Sequence, residues 1–485
     1  MANLKDILYG VNLSEISGER DLMISAIQFD SRKVAEGSVF VAVKGLQSDG
    51  HTYIGKAIGQ GAVAVVCEEL PSKLVDGVTY IKTNNSSKAL GVMASNFFGN
   101  PSSRMSLVGI TGTNGKTTSV TLLYDLFMTL GYKVGLISTV VNKIGQTVLP
   151  SKYTTPDALQ LNELLSKMVE AGCTHCFMEV SSHALVQNRV AGVHYKGGVF
   201  TNISHDHLDY HKTFDEYIAA KKILFDNLGK DAFALSNVDD KRGQVMLQNT
   251  KAAKSTYAIK SAADYKGRIL SNSMQGLQLD IDNQDVWFQL IGDFNAYNLL
   301  ACYAIAMLLE ENKEDVLAAL SGLRGAPGRF EQIRNEQGVV AIVDYAHTPD
   351  ALDNVLKTIE QLRTKNELLV TVVGCGGDRD KTKRPEMARI AIMLSDKVIL
   401  TSDNPRTEDP EAILDDMMTG VPKSESRKVM RITDRKEAIR VACNLTSGGD
   451  IVLVAGKGHE NYQEINGVRN HFDDKEILTE MLNQN

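Results

Sequence analysis

A glycine-containing segment that could bind phosphate lies between an apolar run at 105–111 and an amphipathic stretch at 119–130. Its residues are Gly112, Thr113, Asn114, Gly115, Lys116, Thr117 and Thr118. The flanking patterns predict a strand and a helix, so the segment leads into a helix N-terminus, where backbone N–H groups and the helix dipole favour an anion. Lys116 is expected to reach the β- and γ-phosphates of a nucleotide, and the Thr117 hydroxyl to hold Mg²⁺. The strict phosphate-loop pattern asks for a glycine at Ile110, so this loop is a shortened variant.

Carboxylate, imidazole and ammonium groups follow further along the chain. Glu179 ends the apolar run before Val180, and a carboxylate at the carboxyl end of a strand lies where α/β sheets bind ligands. Three histidines at 205–211 lack the thiolates or the helical spacing of a zinc site and suit Mg²⁺ beside phosphates better. A surface or capping role for each histidine is equally open. The pair Lys221 and Lys222, taken without any comparison, is typical of a solvated helix face.

Composition limits the class of protein. The 485 residues are 43% hydrophobic and 23% charged, which predicts about three soluble domains. The net charge of −7 argues against a nucleic-acid partner. No run of about 18 apolar residues predicts a membrane span, and the first residues do not resemble a signal peptide. Six scattered cysteines, including a Cys173-x-x-Cys176 pair without a second such pair, favour buried structural thiols in a reducing, cytoplasmic compartment.

Alternating strand-like and helix-like runs predict an α/β protein with three domains. Residues 1–100 form a small N-terminal domain that ends at the breaker Gly99-Asn100-Pro101. Residues 101–328 form a central domain with a mostly parallel sheet around the phosphate loop. Residues 329–485 carry β-branched apolar runs at 339–345, 368–374, 397–402 and 451–456, which predict a second, Rossmann-like, doubly wound domain.

Nine motifs, in one order over about 350 residues, resemble those of the Mur ligases, which add amino acids to UDP-N-acetylmuramate. They are TGTNGKTT at 111–118, MEVSSHAL at 178–185, NISHDHLDYH at 202–211, AAK at 219–221, GDFNAYNLLA at 292–301, PGRFE at 327–331, DYAHTPDAL at 344–352, GCGGDRDKTKRP at 374–385 and GKGHE at 456–460. FDSRKV at 29–34 and DGHTYIGKAI at 49–58 resemble the UDP-binding domain of the members that make the tripeptide. The resemblance covers nearly the whole chain.

The resemblance implies a UDP-precursor-binding domain, a central ATPase domain and a C-terminal domain that receives an amino acid. ATP would be a co-substrate with one or two Mg²⁺ ions. Lys221 would be carbamylated, and Glu179 and His207 would be metal ligands beside it. A carbamate is an anion whose oxygens suit a hard cation, whereas an ammonium would be repelled. The UDP-muramoyl-dipeptide would be held by Thr154, Thr155, Ser181, Gln187 and Arg189, with Ser31 near the uridine. The ATP molecule would lie near Asn298 and His347. Position 184, after His183, is an alanine in this chain, whereas the family pattern usually has glycine there.

The tetrapeptide Asp403-Asn404-Pro405-Arg406 bears on the choice of amino acid. In the family this sequence accompanies meso-diaminopimelate, which is lysine with a second carboxylate, and a guanidinium can grip a carboxylate through two hydrogen bonds. Further amino-acid-binding residues would be Arg379, Gly456 and Glu460. The expected reaction activates the D-glutamate side-chain carboxylate of UDP-MurNAc-L-Ala-D-Glu as an acyl phosphate, which the amine then attacks. The protein is expected to act as a monomer, without nucleic acid or membrane partners.

Three other functions stay open from the sequence. The nearest is the same enzyme adding L-lysine. A folate polyglutamate synthase shares the phosphate loop and the modified lysine, but the stretch SSHAL-x-QNRV and the Asp403–Arg406 tetrapeptide argue against it. A catalytically silent sensor of nucleotide sugars is expected to have lost Lys116, Glu179 or Lys221, and all three are present.

Overall fold

Residues 1–45, 48–204 and 208–484 are described by a computed structural model of the chain. Internal packing divides the chain into two units, of which the first comprises Met1–Arg268 and Tyr297–Leu320 and the second Ile269–Ala296 and Ser321–Asn485. Within the described ranges, no helix has both the length and the apolar character needed to cross a bilayer.

A five-stranded sheet organises the first hundred residues. The elements are β1 Ala2–Asn3, α1 Leu4–Ile7, β2 Leu13–Ser17, β3 Met23–Ile24, β4 Ala26–Gln28, β5 Ser38–Val41, α2 Ile54–Gly59, β6 Ala62–Cys67, β7 Thr79–Thr83 and α3 Ser86–Phe97, with 3₁₀ turns at Ser31–Lys33 and Gly50–Tyr53. The strand order is β2-β7-β6-β5-β4, with β4 to β7 parallel and β2 antiparallel. This domain alternates strands and helices as the sequence predicts, and α3 ends just before the Gly99-Asn100-Pro101 breaker.

The central part of the chain forms a larger α/β layer structure. After a 3₁₀ turn at Pro101–Arg104 come β8 Ser106–Thr111, α4 Lys116–Thr129, β9 Val134–Ile137, β10 Val141–Ile144, β11 Thr147–Pro150, α5 Ala158–Glu170, β12 His175–Glu179, α6 Ser182–Val186, β13 Gly197–Phe200, α7 Leu208–His211, α8 Phe214–Asp226, β14 Phe233–Asn237, α9 Gly243–Met246, β15 Ala253–Ala258, β16 Tyr265–Ser273, β17 Gly276–Ile281, β18 Gln284–Phe288, α10 Asp293–Leu308 and α11 Lys313–Ser321. In the first unit the neighbours run β11-β10-β9-β12-β8-β13-β14-β15. The strands from β9 to β15 in this order are parallel, as the sequence predicts.

One edge of this mostly parallel sheet is an antiparallel hairpin. Strand β10 pairs antiparallel with both β9 and β11. Only a short turn separates β9 from β10, in which Ser138 Oγ donates to Val141 O at 2.7 Å, and so short a connection permits only antiparallel pairing. The hairpin residues are mixed polar and partly exposed, which is why the sequence offers no apolar run there.

Register between parallel strands positions the candidate site. Glu179 at the end of β12 stands opposite Ile110 of β8, and Phe200 at the end of β13 stands opposite Thr111. The carboxyl ends of three neighbouring strands therefore meet beside the loop that begins at Gly112. In an open parallel sheet this is the edge where ligands bind.

The C-terminal part of the second unit is a doubly wound sheet, as predicted. Its elements are β19 Glu331–Arg334, β20 Val340–Asp344, α12 Pro349–Leu362, β21 Leu369–Cys375, α13 Lys383–Leu394, β22 Lys397–Ser402, α14 Pro410–Met418, β23 Val429–Arg431, α15 Arg435–Asn444, β24 Ile451–Ala455, β25 Tyr462–Ile465, β26 Val468–His471 and α16 Asp474–Gln484, with a 3₁₀ turn at Lys423–Lys428. The order is β19-β20-β24-β21-β22-β23, parallel except for β19.

Burial on both faces explains the continuous apolar runs of these strands. In β24, Ile451 and Leu453 join a core that includes residues of α12, α13 and α14, whereas Val452 and Val454 join a core that includes residues of α15 and α16. Alternate residues of one strand thus pack under opposite helical layers, and no position of the strand is left to be polar.

A buried ion pair ties α15 to α16 in the second unit. The guanidinium of Arg435 donates from Nε and Nη2 to the two carboxylate oxygens of Asp474 at 2.8 and 2.7 Å, and Nη2 also donates to the Ala455 carbonyl at 3.1 Å. Both side chains of the pair are fully buried. Removing one partner would leave the other charge unpaired without water.

We expect Asp474→Ala to lower the free energy of unfolding by about 3–5 kcal/mol, because it leaves the Arg435 charge buried and unpaired. Urea unfolding of the full-length chain measures the loss. Lys436→Met is the matched control, since Lys436 pairs with Glu480 on the exposed surface of the same two helices and should change stability little. A double Arg435→Met, Asp474→Leu variant should regain most of the lost stability. A loss for Asp474→Ala no larger than for the control would contradict this account.

Candidate active site

The predicted phosphate loop joins β8 to the first turn of α4. Gly115 immediately precedes α4 with a φ of 85°, in the left-handed region that favours glycine. A Cβ at this position would lie 2.5 Å from Oδ1 of Asn298, and the same Oδ1 accepts a long bond of 3.5 Å from Ser119 Oγ. Asn298 on α10 therefore lies directly against the loop, where the sequence predicts it.

The segment after β13 holds the loop from its other side. The backbone N–H groups of Thr113 and Asn114 donate to the carbonyl and the side-chain oxygen of Asn202 at 2.8 and 3.0 Å. Thr201 Oγ1 donates to the Asn114 carbonyl at 2.7 Å. The loop conformation is thus fixed by hydrogen bonds from a neighbouring strand end, which the sequence does not identify.

Two lysine ammonium groups share one backbone carbonyl of the loop. Lys116 Nζ donates to the carbonyl oxygens of Gly112 and Thr113 at 2.8 Å each, and Lys221 Nζ donates to the Gly112 oxygen at 2.7 Å. Lys221 is 1% exposed and lies 4.4 Å from the ring centroid of Tyr217. Both ammonium groups are therefore held against the backbone of the loop.

The interpretation of Lys221 and Lys222 as a solvated helix face is wrong. Lys221 is buried, and Lys222 forms an ion pair with Asp226 while its side chain is only 13% exposed. A signal was available in the sequence, since Tyr217 and Phe225 lie four residues before and after Lys221 and mark it as part of the inward stripe of α8.

Glu179 is brought together with the loop hydroxyl that the sequence pairs with Mg²⁺. Its Oε1 accepts from Thr117 Oγ1 at 2.9 Å and from the Thr139 N–H at 2.7 Å, and the residue is 1% exposed. Among the described residues, every hydrogen bond to the Glu179 carboxylate goes to Oε1, so Oε2 can accept a further ligand. A hydroxyl and a carboxylate oxygen beside a phosphate-binding loop fit a hard divalent cation.

The histidine part of that predicted ligand set cannot be placed. His207 lies outside the described residues. Within the described ranges, no group of three or more His, Cys, Asp or Glu side chains could hold a metal by itself.

Five of the six residues predicted to hold the UDP-linked precursor lie in one region near α6. Arg189 donates from Nε and Nη2 to Gln187 Oε1 at 2.9 and 2.6 Å, and from Nη1 to the Thr155 carbonyl at 3.0 Å. The Ser181 N–H donates to Thr155 Oγ1 at 3.1 Å. Thr154 accepts from Thr139 Oγ1 at 3.1 Å, so the network reaches the Glu179 region.

Tyr210 extends this network, whereas Ser31 lies apart from it. Gln187 Nε2 donates to Tyr210 Oη at 3.2 Å, and neither Tyr210 nor Thr139 was predicted as a site residue. Ser31 is buried in the turn after β4, and no hydrogen bond between described residues joins it to the network.

A second polar cluster lies at the carboxyl ends of β22 and β24. Asn404 Nδ2 donates to Glu460 Oε2 at 2.8 Å. Gly456 has a φ of 117°, and a Cβ there would lie 2.7 Å from Oδ2 of Asp403, so only glycine fits beside that carboxylate. Burial, reinforced by the Asp403 charge, raises the pKa of Glu460. Asp403, Asn404, Gly456 and Glu460 are thus brought together as predicted.

Arg406 is held beside this cluster by its backbone and its guanidinium. It has a φ of 52°, its N–H donates to the Glu464 carbonyl at 3.0 Å, and its Nη1 donates to the Gly377 carbonyl at 2.6 Å. Pro405 before it is buried. The remaining guanidinium N–H groups of the half-buried Arg406 can therefore serve a ligand from a fixed position.

Two predicted residues are less tightly organised. Arg379 is exposed in the loop after β21, and its side chain makes one weak bond of 3.4 Å to the Asp378 carbonyl. His347 is exposed after β20, where its Nδ1 lies 2.9 Å from the Tyr345 carbonyl and its own carbonyl accepts from Lys383 Nζ at 2.8 Å.

One buried charged residue of this cluster was missed by the sequence reasoning. Lys457 is completely buried after β24, and its Nζ donates to Asn404 Oδ1 at 3.1 Å. Its position between Gly456 and Gly458, directly after an apolar strand, is the signal that could have identified it.

Comparison with known proteins gives the class to which this fold and these two clusters belong. Three family models match in order: "Mur ligase family, catalytic domain" over residues 23–98, "Mur ligase middle domain" over 110–306 and "Mur ligase, glutamate ligase domain" over 328–458.

Relatives of similar length cover nearly the whole chain. The UDP-N-acetylmuramoyl-L-alanyl-D-glutamate–2,6-diaminopimelate ligase of Cytophaga hutchinsonii is 59% identical over 480 residues, 99% of each chain. The ligase of the same name from Chlorobaculum tepidum is 43% identical over 94% of this chain and 92% of its own. A solved structure of a ligase with this name superposes with a TM-score of 0.73 at 35% identity, covering 100% of this chain and 99% of its own.

The chain belongs to the Mur ligase family. It has the three α/β domains of that family and is an ATP-dependent, amide-forming ligase, as the sequence predicts. A folylpolyglutamate synthase from Thermotoga maritima superposes with a TM-score of 0.59 at 16% identity over 76% of this chain, which reflects a shared fold alone.

We expect Gly115→Ala to weaken nucleotide binding on the order of tenfold or more, because a Cβ would collide with Asn298 and move the loop amides. Isothermal titration with ADP measures the affinity. Gly131→Ala is the matched control, since Gly131 also has a positive φ of 92° but a Cβ there meets no atom within 4 Å. The control should cost only about 1 kcal/mol of stability and leave affinity unchanged. Equal affinities of the two variants would refute the expectation.

Proposed function

We propose that this ligase joins meso-2,6-diaminopimelate to the D-glutamate side-chain carboxylate of UDP-MurNAc-L-Ala-D-Glu during peptidoglycan synthesis. The proposal rests on the placement of Arg406 beside a cluster of carboxylates. Its backbone N–H donates to the Glu464 carbonyl and its guanidinium donates to the Gly377 carbonyl, so the side chain is held in place. Such a site offers a cation to one end of an amino acid and anions to its ammonium, and diaminopimelate has a carboxylate and an ammonium at both ends. The names of the two relatives given above support the same substrate.

ATP is proposed to act at the loop of the central domain. The loop amides that do not donate to Asn202, together with Lys116, would bind the phosphates. The Thr117 hydroxyl would hold a metal ion, and Asn298 lies against Gly115. The full set proposed for ATP is Gly112, Thr113, Asn114, Gly115, Lys116, Thr117, Thr118, Asn298 and His347. Phosphorylation would turn the D-glutamate carboxylate, a poor electrophile, into an acyl phosphate that an amine can attack to form the amide and release phosphate.

The acceptor precursor is proposed to lie at the Arg189 network. Arg189 and Gln187 already hold each other, so their orientation is set before any ligand binds. The set proposed for the precursor is Ser31, Thr154, Thr155, Ser181, Gln187 and Arg189. Because Thr154 is linked through Thr139 to Glu179, this network leads towards the phosphate loop.

One or two Mg²⁺ ions would neutralise charge on the transferred phosphoryl group. Thr117, Glu179, His207 and Lys221 in its carbamate form are proposed as ligands. Carbamylation of Lys221 would replace a second ammonium on the Gly112 carbonyl by an anion, which removes its repulsion from Lys116. Its burial would protect the carbamate from water.

The amino-acid end is proposed to use both arginines and the carboxylate cluster. Arg406 and Arg379 would bind carboxylates, and Glu460 with Asp403 would attract an ammonium group. The set proposed for the amino acid is Arg379, Asp403, Asn404, Pro405, Arg406, Gly456 and Glu460. The domain boundaries proposed with these roles are 1–100, 101–328 and 329–485, and the protein is proposed to act as a cytoplasmic monomer.

We expect phosphate release with meso-diaminopimelate to exceed that with L-lysine by about 100-fold or more in kcat/KM, because lysine leaves a guanidinium unpaired. Arg406→Lys should reduce the diaminopimelate value about 30-fold or more and leave the lysine value nearly unchanged. Arg431→Lys is the control, since Arg431 pairs with Glu411 and Asp415 on the surface. Equal or faster wild-type turnover with lysine would refute the assignment, and no phosphate release with either amino acid would refute the proposed reaction.

We expect Lys221→Ala to lower kcat by about 100-fold or more, since it removes a metal ligand and leaves a cavity beside the loop. Added bicarbonate should not restore this variant, whereas a short carboxylic acid should do so partly by supplying an anion. Lys222→Ala is the control on the same helix, because Lys222 pairs with Asp226, one helical turn further along the chain. Full activity of Lys221→Ala would disprove the carbamate.

A further inference from the structure

Lys457 is a buried ammonium in the carboxylate cluster for which the proposed reaction has assigned no task. Its side chain is fully buried, and its Nζ lies 3.1 Å from Asn404 Oδ1, 3.5 Å from Glu460 Oε2 and 3.9 Å from Asp403 Oδ1. The ring of Tyr462 lies 5.5 Å from the same atom. Burying an ammonium is costly unless its neighbours compensate for the lost water, so its position requires the oxygens around it.

The charges of the cluster do not cancel. Asp403 and Glu460 contribute two carboxylates, and Lys457 contributes one ammonium between them. Arg435, the next buried cation, is already paired with Asp474 through both carboxylate oxygens. The cluster therefore retains about one negative charge, which matches one ammonium group of an amino acid.

The carboxamide of Asn404 is oriented by this ammonium. Its Oδ1 accepts from Lys457 and from the Glu464 N–H at 2.9 Å, and its Nδ2 donates to Glu460 Oε2 at 2.8 Å. With both sides of the amide committed, Oε2 of Glu460 is held in one place. Without Lys457, Asn404 Oδ1 would lose one hydrogen-bond donor, and Glu460 would lose its contact with a positive charge.

We propose that Lys457 is a positioning residue that keeps Glu460 in its carboxylate form and fixed in place, so that the cluster binds one ammonium group of the incoming amino acid. This inference rests on the proposed function and deepens it by naming the countercharge of the ammonium subsite. Lys457 itself would not touch the substrate.

The direction of the pH effect follows from the groups around Glu460. Those that face it are Asp403, Asn404, Lys457, Tyr345, Tyr462 and Arg435. Burial and Asp403 raise the pKa of Glu460, and Lys457 opposes them. Removing Lys457 would raise this pKa further, so Glu460 would lose its negative charge at a higher pH than in the wild type. The ammonium subsite of such a variant would be weakest at the low-pH end of the activity range and would regain strength as the pH rises.

We expect Lys457→Met to raise KM for the amino acid about tenfold at the low-pH end of the range in which the wild type is active, and to bring it nearer the wild-type value as the pH rises. The kcat and the KM for ATP should stay within about twofold. Lys457→Arg keeps the charge and should keep the wild-type pH profile. Lys436→Met, at an exposed pair of the same sheet domain, is the control. Phosphate release from the full-length enzyme is the readout, with whichever amino acid the wild type accepts.

A double-variant comparison separates this role from a merely structural one. Lys457→Met combined with Glu460→Gln should have the same KM as Glu460→Gln by itself and no alkaline recovery, because the titrating group is gone. The inference is overturned if Lys457→Met has an unchanged KM, if its KM is raised equally at all pH values, or if the double variant is additive. Failure of the wild type to ligate any amino acid would overturn the proposed function instead.

Discussion

Parallel pairing of β8 with β12 and β13 is the constraint on which the ATP-binding end of this ligase depends. Because Glu179 stands opposite Ile110 and Phe200 opposite Thr111, the residues that follow all three strands emerge at one edge of the sheet. A slip of one residue would turn Glu179 to the other face and separate it from Thr117. The phosphate loop, its carboxylate and the strand end that supports it are therefore products of one hydrogen-bonding register.

The C-terminal sheet applies the same constraint to different chemistry. Strands β20, β21, β22 and β24 are parallel and end together. The loops after β22 and β24 bring Asn404 and Glu460 within hydrogen-bonding distance of each other and of Lys457, with Asp403 Oδ1 3.9 Å from the Lys457 ammonium. At this edge of the sheet the side chains are carboxylates, a carboxamide and arginines, which suit the zwitterionic amino acid that we propose as the ligand.

Buried cations recur at or near the two proposed binding sites. Lys221 donates to the phosphate loop, Lys457 lies among the carboxylates, and Arg435 fastens α15 to α16 beneath the end of β24. Each has a cost in lost hydration that only specific oxygens can offset. The stability of a buried charge of this kind depends on the identity of its partners. Single substitutions of these three side chains are therefore informative tests of the roles proposed for them.

The sequence by itself determined the local features: the strand–loop–helix order around Gly115, the apolar runs of the strands, and the motifs that identify the family. Those features depend on neighbours in the chain, and periodicity and glycine chemistry report them. Only the tertiary structure decided which face of α8 is buried, so that Lys221 lies against the Gly112 carbonyl rather than in water, and that β10 turns back antiparallel. It alone joined Lys457 to Asn404, 53 residues away. Burial and charge pairing between distant residues depend on strand register and packing, which no local pattern contains.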